Sequence, residues 1–143
     1  MSIELGRDIC GDLPAASARE WLVTNGIGGF AAGTVSGVLS RRYHGLLIAA
    51  LSPPLGRTLL LSHLDETARL ADESYSLGGS RWGSGVYSGA GYRFLERFEL
   101  CGRIPTWTYA LADAVLEKRI FMAAERNTTY VQYTLRRGSA LAR

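Results

Sequence analysis

Cysteine and histidine are both scarce in this chain of 143 residues, and lysine occurs once, at Lys118. Two cysteines as far apart as Cys10 and Cys101 exclude a disulfide scaffold and a zinc knuckle, so both read as reduced thiols. The two imidazoles, His44 and His63, come without any H-x-x-x-H or C-x-x-C pattern, which leaves a metal site short of ligands; no metal and no cofactor are expected. No G-K-[ST] occurs to make a Walker loop, and no G-x-S-x-G to make a nucleophile elbow. Sixteen basic against thirteen acidic residues leave a charge of +3, too slight to argue for nucleic acid. Apolar stretches such as Gly45 to Leu51 and Leu59 to Leu61 fall far short of the roughly 18 residues needed to cross a bilayer, so no membrane span is expected. The opening residues, MSIELGRDICGDLP, lack the basic start and apolar core of a signal peptide, which makes a cytoplasmic location the expectation.

What is present suffices for a core. Apolar residues make up 47% of the chain and charged residues 20%, the balance of one folded domain. Glycine is in excess, 17 residues lying mostly between Gly26 and Gly91, and predicts tight turns there. Periodicity of two dominates the rest. Thr129, Val131, Tyr133 and Leu135 fall on one face of a strand, with Tyr130, Gln132 and Thr134 on the other. Upstream, Leu116, Ile120 and Met122 oppose Glu117 and Arg119, and the polar Glu125 to Asn127 between the two runs predicts a hairpin. Thr106 to Leu111, Tyr43 to Leu51, Arg57 to Leu70 and Arg19 to Thr24 read as further strands, with Ser52 to Gly56 as a connecting turn. The stretch from Gly91 to Leu100 reads as a strand with Tyr92, Phe94, Phe98 and Leu100 on one face, or as a helix, since Tyr92, Leu95 and Phe98 are spaced by three. No helical apolar stripe is sustained, and the pattern predicts an all-β antiparallel sandwich.

Three constellations bear on chemistry. Thr24 to Thr34 (TNGIGGFAAGT) formally contains G-x-G-x-x-A, but the following residues are a poor helix and no acid stands about 20 positions on, so a dinucleotide site is not supported. The glycines then serve positive φ or close backbone approach. Arg41-Arg42-Tyr43-His44 packs two guanidinium groups, a phenol and an imidazole just before an apolar strand. Continued as a strand, it puts Arg42 and His44 on one face and Arg41 and Tyr43 on the other. The structural alternative pairs an arginine with Asp65 or Glu66 and has His44 capping a backbone carbonyl. The adjacent acids Asp65-Glu66 and Asp72-Glu73 would point to opposite sides of a strand, so neither pair converges on one bond as glycoside hydrolysis requires. From its chemistry alone, the chain reads as non-catalytic.

Glu20 to Ala50 (EWLVTNGIGGFAAGTVSGVLSRRYHGLLIAA) closely resembles the N-terminal domain of bacterial and archaeal-type glycogen debranching enzymes, the amylo-α-1,6-glucosidase family. Leu59 to Thr67, Ile104 to Met122 and Asn127 to Leu135 agree in the same order. The resemblance implies residues 1–19 as an extension and 20–143 as a β-sandwich domain like the one that precedes the barrel of bacterial glucoamylases, here truncated. It implies that the catalytic carboxylates lie in an α/α-barrel absent from this chain. Partners so implied are that barrel and an α-glucan such as glycogen or a maltooligosaccharide. Residues expected to face the glucan or the barrel are Asn25, Gly28, Gly29, Arg42, His44 and Trp107. Two alternatives stand beside this reading: an independent carbohydrate-binding module gripping glucan with Trp82, Trp107 and Tyr109, and a purely structural interdomain unit. A sheet cut short near Thr129 to Leu135 would leave an open edge, from which a homo-oligomer is expected.

Overall fold

The computed structural model describes residues 2–138. Its strands are β1 (Ile3–Leu5), β2 (Glu20–Thr24), β3 (Phe30–Thr34), β4 (Gly45–Ser52), β5 (Leu55–Leu61), β6 (Thr67–Leu70), β7 (Glu73–Ser76), β8 (Ser80–Arg81), β9 (Tyr87–Ser88), β10 (Leu95–Cys101), β11 (Ile104–Leu111), β12 (Ala114–Met122) and β13 (Thr129–Arg137). A five-stranded sheet in the order β1-β10-β11-β12-β13 packs on a four-stranded sheet in the order β2-β3-β4-β5, every pair antiparallel. Two small ribbons, β6-β7 and β8-β9, flank this sandwich. The expected all-β sandwich is what the chain forms.

Cross-strand register explains the core. Phe98, Trp107, Lys118 and Tyr133 lie directly opposite one another across four strands, and so share the inner face of the five-stranded sheet. Trp107 then meets Trp21 of β2 edge-on, with centroids 5.3 Å apart, and Phe98 at 5.1 Å. Val23, Ala31, Val35 and Leu46 complete the layer from the four-stranded sheet. Both indoles are satisfied: Trp21 Nε1 donates to the Thr34 carbonyl at 3.1 Å, and Trp107 Nε1 donates across the sandwich to the Val35 carbonyl at 2.9 Å.

The hairpin of β12 and β13 has the predicted alternation, with Ile120 opposite Val131 and Glu117 opposite Thr134. Other expectations are corrected. Gly91–Phe94 is one turn of 3-10 helix rather than the start of a strand, because Gly91 lies so close to the Leu77 carbonyl that a Cβ there would sit 1.9 Å from its oxygen. Arg57 to Leu70 divides into two strands of different sheets, separated by the loop 62–66. Residues 1–19, read as an extension, contribute β1 to the edge of the five-stranded sheet and two short helices, α1 (Arg7–Cys10) and α2 (Leu13–Ser17). The second helix starts where Asp12 accepts the Ala15 N–H at 2.8 Å, and the two helices bury Cys10 and Ala16 in the core.

Replacing Trp107 should therefore test the sandwich directly. Trp107→Ala is expected to cost about 3–5 kcal/mol. Trp107→Phe, which keeps the ring contacts but strands the buried Val35 carbonyl, is expected to cost about 1–3 kcal/mol. Urea denaturation followed by far-UV circular dichroism measures both, and a Trp107→Phe variant as stable as the wild type would deny the hydrogen bond its part.

Candidate functional site

The predicted site residues fall into three settings. Asn25, Gly28 and Gly29 form the β2-β3 turn, where Gly26 and Gly28 take positive φ (84° and 98°). Asn25 is buried, and all of its amide is used: Oδ1 accepts from Ile27 N at 3.1 Å and Gly29 N at 2.9 Å, while Nδ2 donates to the Arg126 carbonyl at 3.0 Å and to Asn127 Oδ1 at 3.1 Å. Asn127 in turn exchanges two bonds with the Ala50 backbone, 2.9 Å and 3.1 Å. This amide ladder ties the glycine turn, β4 and the β12-β13 turn together. A Cβ at Gly29 would stand 2.4 Å from Asn25 Nδ2, so the glycine there makes room for the ladder. These three positions are satisfied within the fold, in keeping with the close-approach reading of the glycines.

The RRYH segment is not a strand. Residues 41–43 make a bend and turn, and β4 starts only at Gly45. The alternation expected of it fails: His44 is 4% exposed, whereas Arg41, Arg42 and Tyr43 all lie on the surface. His44 Nδ1 accepts the N–H groups of Ser40 and Arg41 at 3.1 Å and 3.3 Å, which leaves its ring proton on Nε2, 3.4 Å from Glu20 Oε1. It caps backbone donors, not the carbonyl expected. Arg41 Nε donates to the same Glu20 carboxylate, so the acid that holds this segment is Glu20 rather than Asp65 or Glu66. Trp107 lies in the core at 3% exposure, as does Tyr109, so neither ring has a free face to stack on a sugar. Trp82, at the tip of the β8-β9 ribbon, is 63% exposed.

Arg42 and the glycine turn nonetheless border one surface, the outer face of the four-stranded sheet. Trp21 and Val23 point inward, so Leu22 and Thr24 point outward, and the register places Ala32 and Phe30 beside them. Ile48 lies opposite Phe30 and Leu59 opposite Ile48, but Ile48 is fully buried, so the exposed apolar positions are Leu22 on β2 and Leu59 on β5, with Phe30 half-buried. Leu22 is 57% and Leu59 44% exposed. An open groove of about 640 Å³ runs over Leu22, Phe30 and Ala32 to the Arg41-Arg42-Tyr43 turn. At its other end Arg57, which donates to the Gly28 carbonyl at 3.0 Å, forms the rim.

Sequence reasoning missed a second cluster. Lys118 faces the interior, where its Nζ lies 2.7 Å from Glu66 Oε1 and 5.4 Å from the centre of the Trp107 ring. Tyr133 also donates to Glu66 Oε1. These groups and Tyr109 edge a cavity of about 60 Å³ and the pocket beside it, beneath the loop 62–66. Burial, and then the Glu66 charge, push the Tyr109 phenol well above its ordinary value; burial and the hydrogen bond to Glu66 do the same to Tyr133. The signal was available: Lys118 sits on the apolar side of an otherwise alternating strand, where a lone ammonium needs a partner. Asp65 is fully outward, 3.8 Å from the exposed His63, so Asp65 and Glu66 do diverge. Among the described residues no group of three or more His, Cys, Asp or Glu side chains is placed to hold a metal.

Compared with known families, the chain matches the family described as "Glycogen debranching enzyme N terminal" over residues 19–142. No curated protein and no solved structure gives a significant match.

Two measurements follow from the geometry. His44→Ala strands two backbone donors and is expected to cost about 1–3 kcal/mol, whereas Arg42→Ala, on the surface, should stay within about 0.5 kcal/mol; parallel thermal melts compare them. The raised phenols make stability depend on alkali. Tyr109 and Tyr133 hold their protons more tightly folded than unfolded, so their contribution is whole below a pH of about 10 and is lost as pH rises through and beyond that value. A melting temperature that falls as pH is raised above about 10, with a shallower fall in Tyr133→Phe, is the expected result.

Proposed function

The chain belongs to the glycogen debranching enzyme N-terminal family, and from that premise we propose that it is the non-catalytic sandwich of such an enzyme, docking on the catalytic α/α-barrel through the outer face of its four-stranded sheet. The whole enzyme would hydrolyse α-1,6 branch linkages of glycogen with two carboxylates of the barrel, in the cytoplasm where its substrate is held. Contact with α-glucan falls to the exposed rim, Arg41, Arg42 and Tyr43, whose guanidinium forks and phenol suit sugar hydroxyls and ring faces. Asn25, Gly28, Gly29 and His44 shape that surface from beneath.

One observation carries the reading: the two outer faces differ. The outer face of the five-stranded sheet is laced with ion pairs, Arg97 to Glu99 at 3.3 Å, Arg119 to Glu117 at 2.8 Å and Arg136 to Glu117 at 2.9 Å, and suits water. The outer face of the four-stranded sheet bears Leu22, Phe30 and Leu59 instead, with charge only at its rim. Exposed apolar side chains rimmed by polar groups mark an interface, stabilised by roughly 25 cal/mol for each Å² removed from water. Catalysis within the chain is disfavoured because its least exposed acid, Glu66, is neutralised by Lys118 and bonded by Tyr133. An independent carbohydrate-binding module is less supported, since Trp107 and Tyr109 are buried and Trp82 stands alone.

The test is Leu22→Asp with Leu59→Asp in the full-length enzyme. Loss of at least about tenfold in debranching rate, with a barrel that becomes more susceptible to proteolysis, is expected. The same pair placed in the isolated chain should leave its circular dichroism unchanged. Full activity in a folded double variant would overturn the assignment of this face.

A further inference from the structure

The polar cluster beneath the loop 62–66 contains a group that the fold leaves without a partner. Tyr109, on β11, is 5% exposed and lines the cavity of about 60 Å³. Among the described residues no protein group forms a hydrogen bond with its hydroxyl: burial and the Glu66 charge act on the phenol, and the Cys10 thiol nearby donates instead to the Leu5 carbonyl at 3.4 Å. A buried hydroxyl left unpaired costs the loss of its hydration, so a phenol kept at such a place needs a partner from outside the chain. Trp107, two residues earlier on the same face, shows the contrast, since its polar atom is bonded within the core.

Register places a second donor beside it. Lys118 lies opposite Trp107 and Leu116 opposite Tyr109, so Lys118 and Tyr109 are diagonal neighbours on the inner face, and both line the cavity. An ammonium has three N–H donors; Lys118 directs two contacts at the Glu66 carboxylate, at 2.7 Å and 2.9 Å, which leaves one donor for another acceptor. Glu66, which also lines the cavity and accepts from Tyr133, keeps lone pairs to spare. The charges of Lys118 and Glu66 cancel, so the site favours neither an anion nor a cation, and an apolar guest would leave the phenol unpaired. What matches is a neutral group that donates and accepts at once. We propose that the cavity is a binding site for neutral hydroxyl groups, held by Tyr109 Oη, Lys118 Nζ and the Glu66 carboxylate, with the loop 62–66 as its roof. At roughly 15 Å³ for each molecule, it takes about four waters, or the hydroxyls of one small polyol. The site is independent of the docking face, which lies on the outer side of the other sheet.

Removing the hydroxyl alone tests the site in solution. Tyr109→Phe keeps the ring and its packing, so circular dichroism should show an unchanged sandwich. Where the phenol holds a ligand, the variant strands that ligand and its melting temperature should fall by about 3 °C or more. Where the hydroxyl is merely buried and unpaired, its removal relieves the fold, and a melting temperature that stays level or rises would overturn the proposal. A crystal structure of the wild-type chain grown without polyols is expected to show an ordered oxygen about 2.7–3.2 Å from Tyr109 Oη and within reach of Lys118 Nζ. Glycerol, soaked in as the probe, separates the two sources: its density in place of that oxygen assigns the site to a polyol, and an unchanged oxygen assigns it to water. A phenol with no bound oxygen in either crystal, or one bonded to a protein group, would overturn the proposal.

Discussion

The Trp107 indole is the contact on which the two sheets depend. It stands in the middle of the five-stranded sheet, meets Trp21 and Phe98 ring to ring, and donates its only proton to the Val35 carbonyl of the opposite layer. A fully apolar side chain at this place would fill the same volume but leave the relative position of the layers to packing alone. A directed bond across a water-excluded core adds specificity, because the carbonyl it serves has no solvent to fall back on. Lys118, directly opposite Trp107 on β12, extends the arrangement outward by setting its ammonium over the same ring and against Glu66.

Two polar clamps then close the sandwich at separate places. At one, the Asn25–Asn127–Ala50 ladder fastens the glycine turn to β4 and to the β12-β13 hairpin, with both amides satisfied. At the other, Glu66 brings the loop 62–66 down on Lys118 and Tyr133. Buried amides and ion pairs are costly unless every partner is present. Here the partners come from segments up to 102 positions apart, so the clamps form only with the whole fold. What resembled binding chemistry in the glycine turn and at His44 is in large part this internal accounting of hydrogen bonds.

That accounting has a consequence at the surface. Because the Asn25 and Asn127 amides and the Glu66 carboxylate are satisfied within the fold, the groups left to meet a partner include Leu22, Phe30 and Leu59 with their arginine rim. Such a face gains from removing apolar area from water. Among the carboxylates, Glu66 and Glu117, the two least exposed in ion pairs, are both engaged by basic side chains.

The amino-acid sequence by itself determined the strands, their inner and outer faces and the sandwich class, because alternation is a local property and each side chain's direction follows from its neighbours in the strand. The hairpin from Ala114 to Arg137 was legible for that reason, whereas Asp65 and Glu66, expected on a strand, diverge from the loop 62–66. Tertiary structure decided the rest. His44 could not be placed from its neighbours, since what buries it is a turn closed by its own ring nitrogen and held by Glu20, more than twenty residues away. Trp107 read as a residue facing the glucan or the barrel and is a core residue instead, because the facing sheet supplies Trp21 and the Val35 carbonyl. Gly91 broke an apparent strand only because the Leu77 backbone passes against it. In each case the deciding partner is distant in the chain, and a local pattern carries no information about which distant group will arrive.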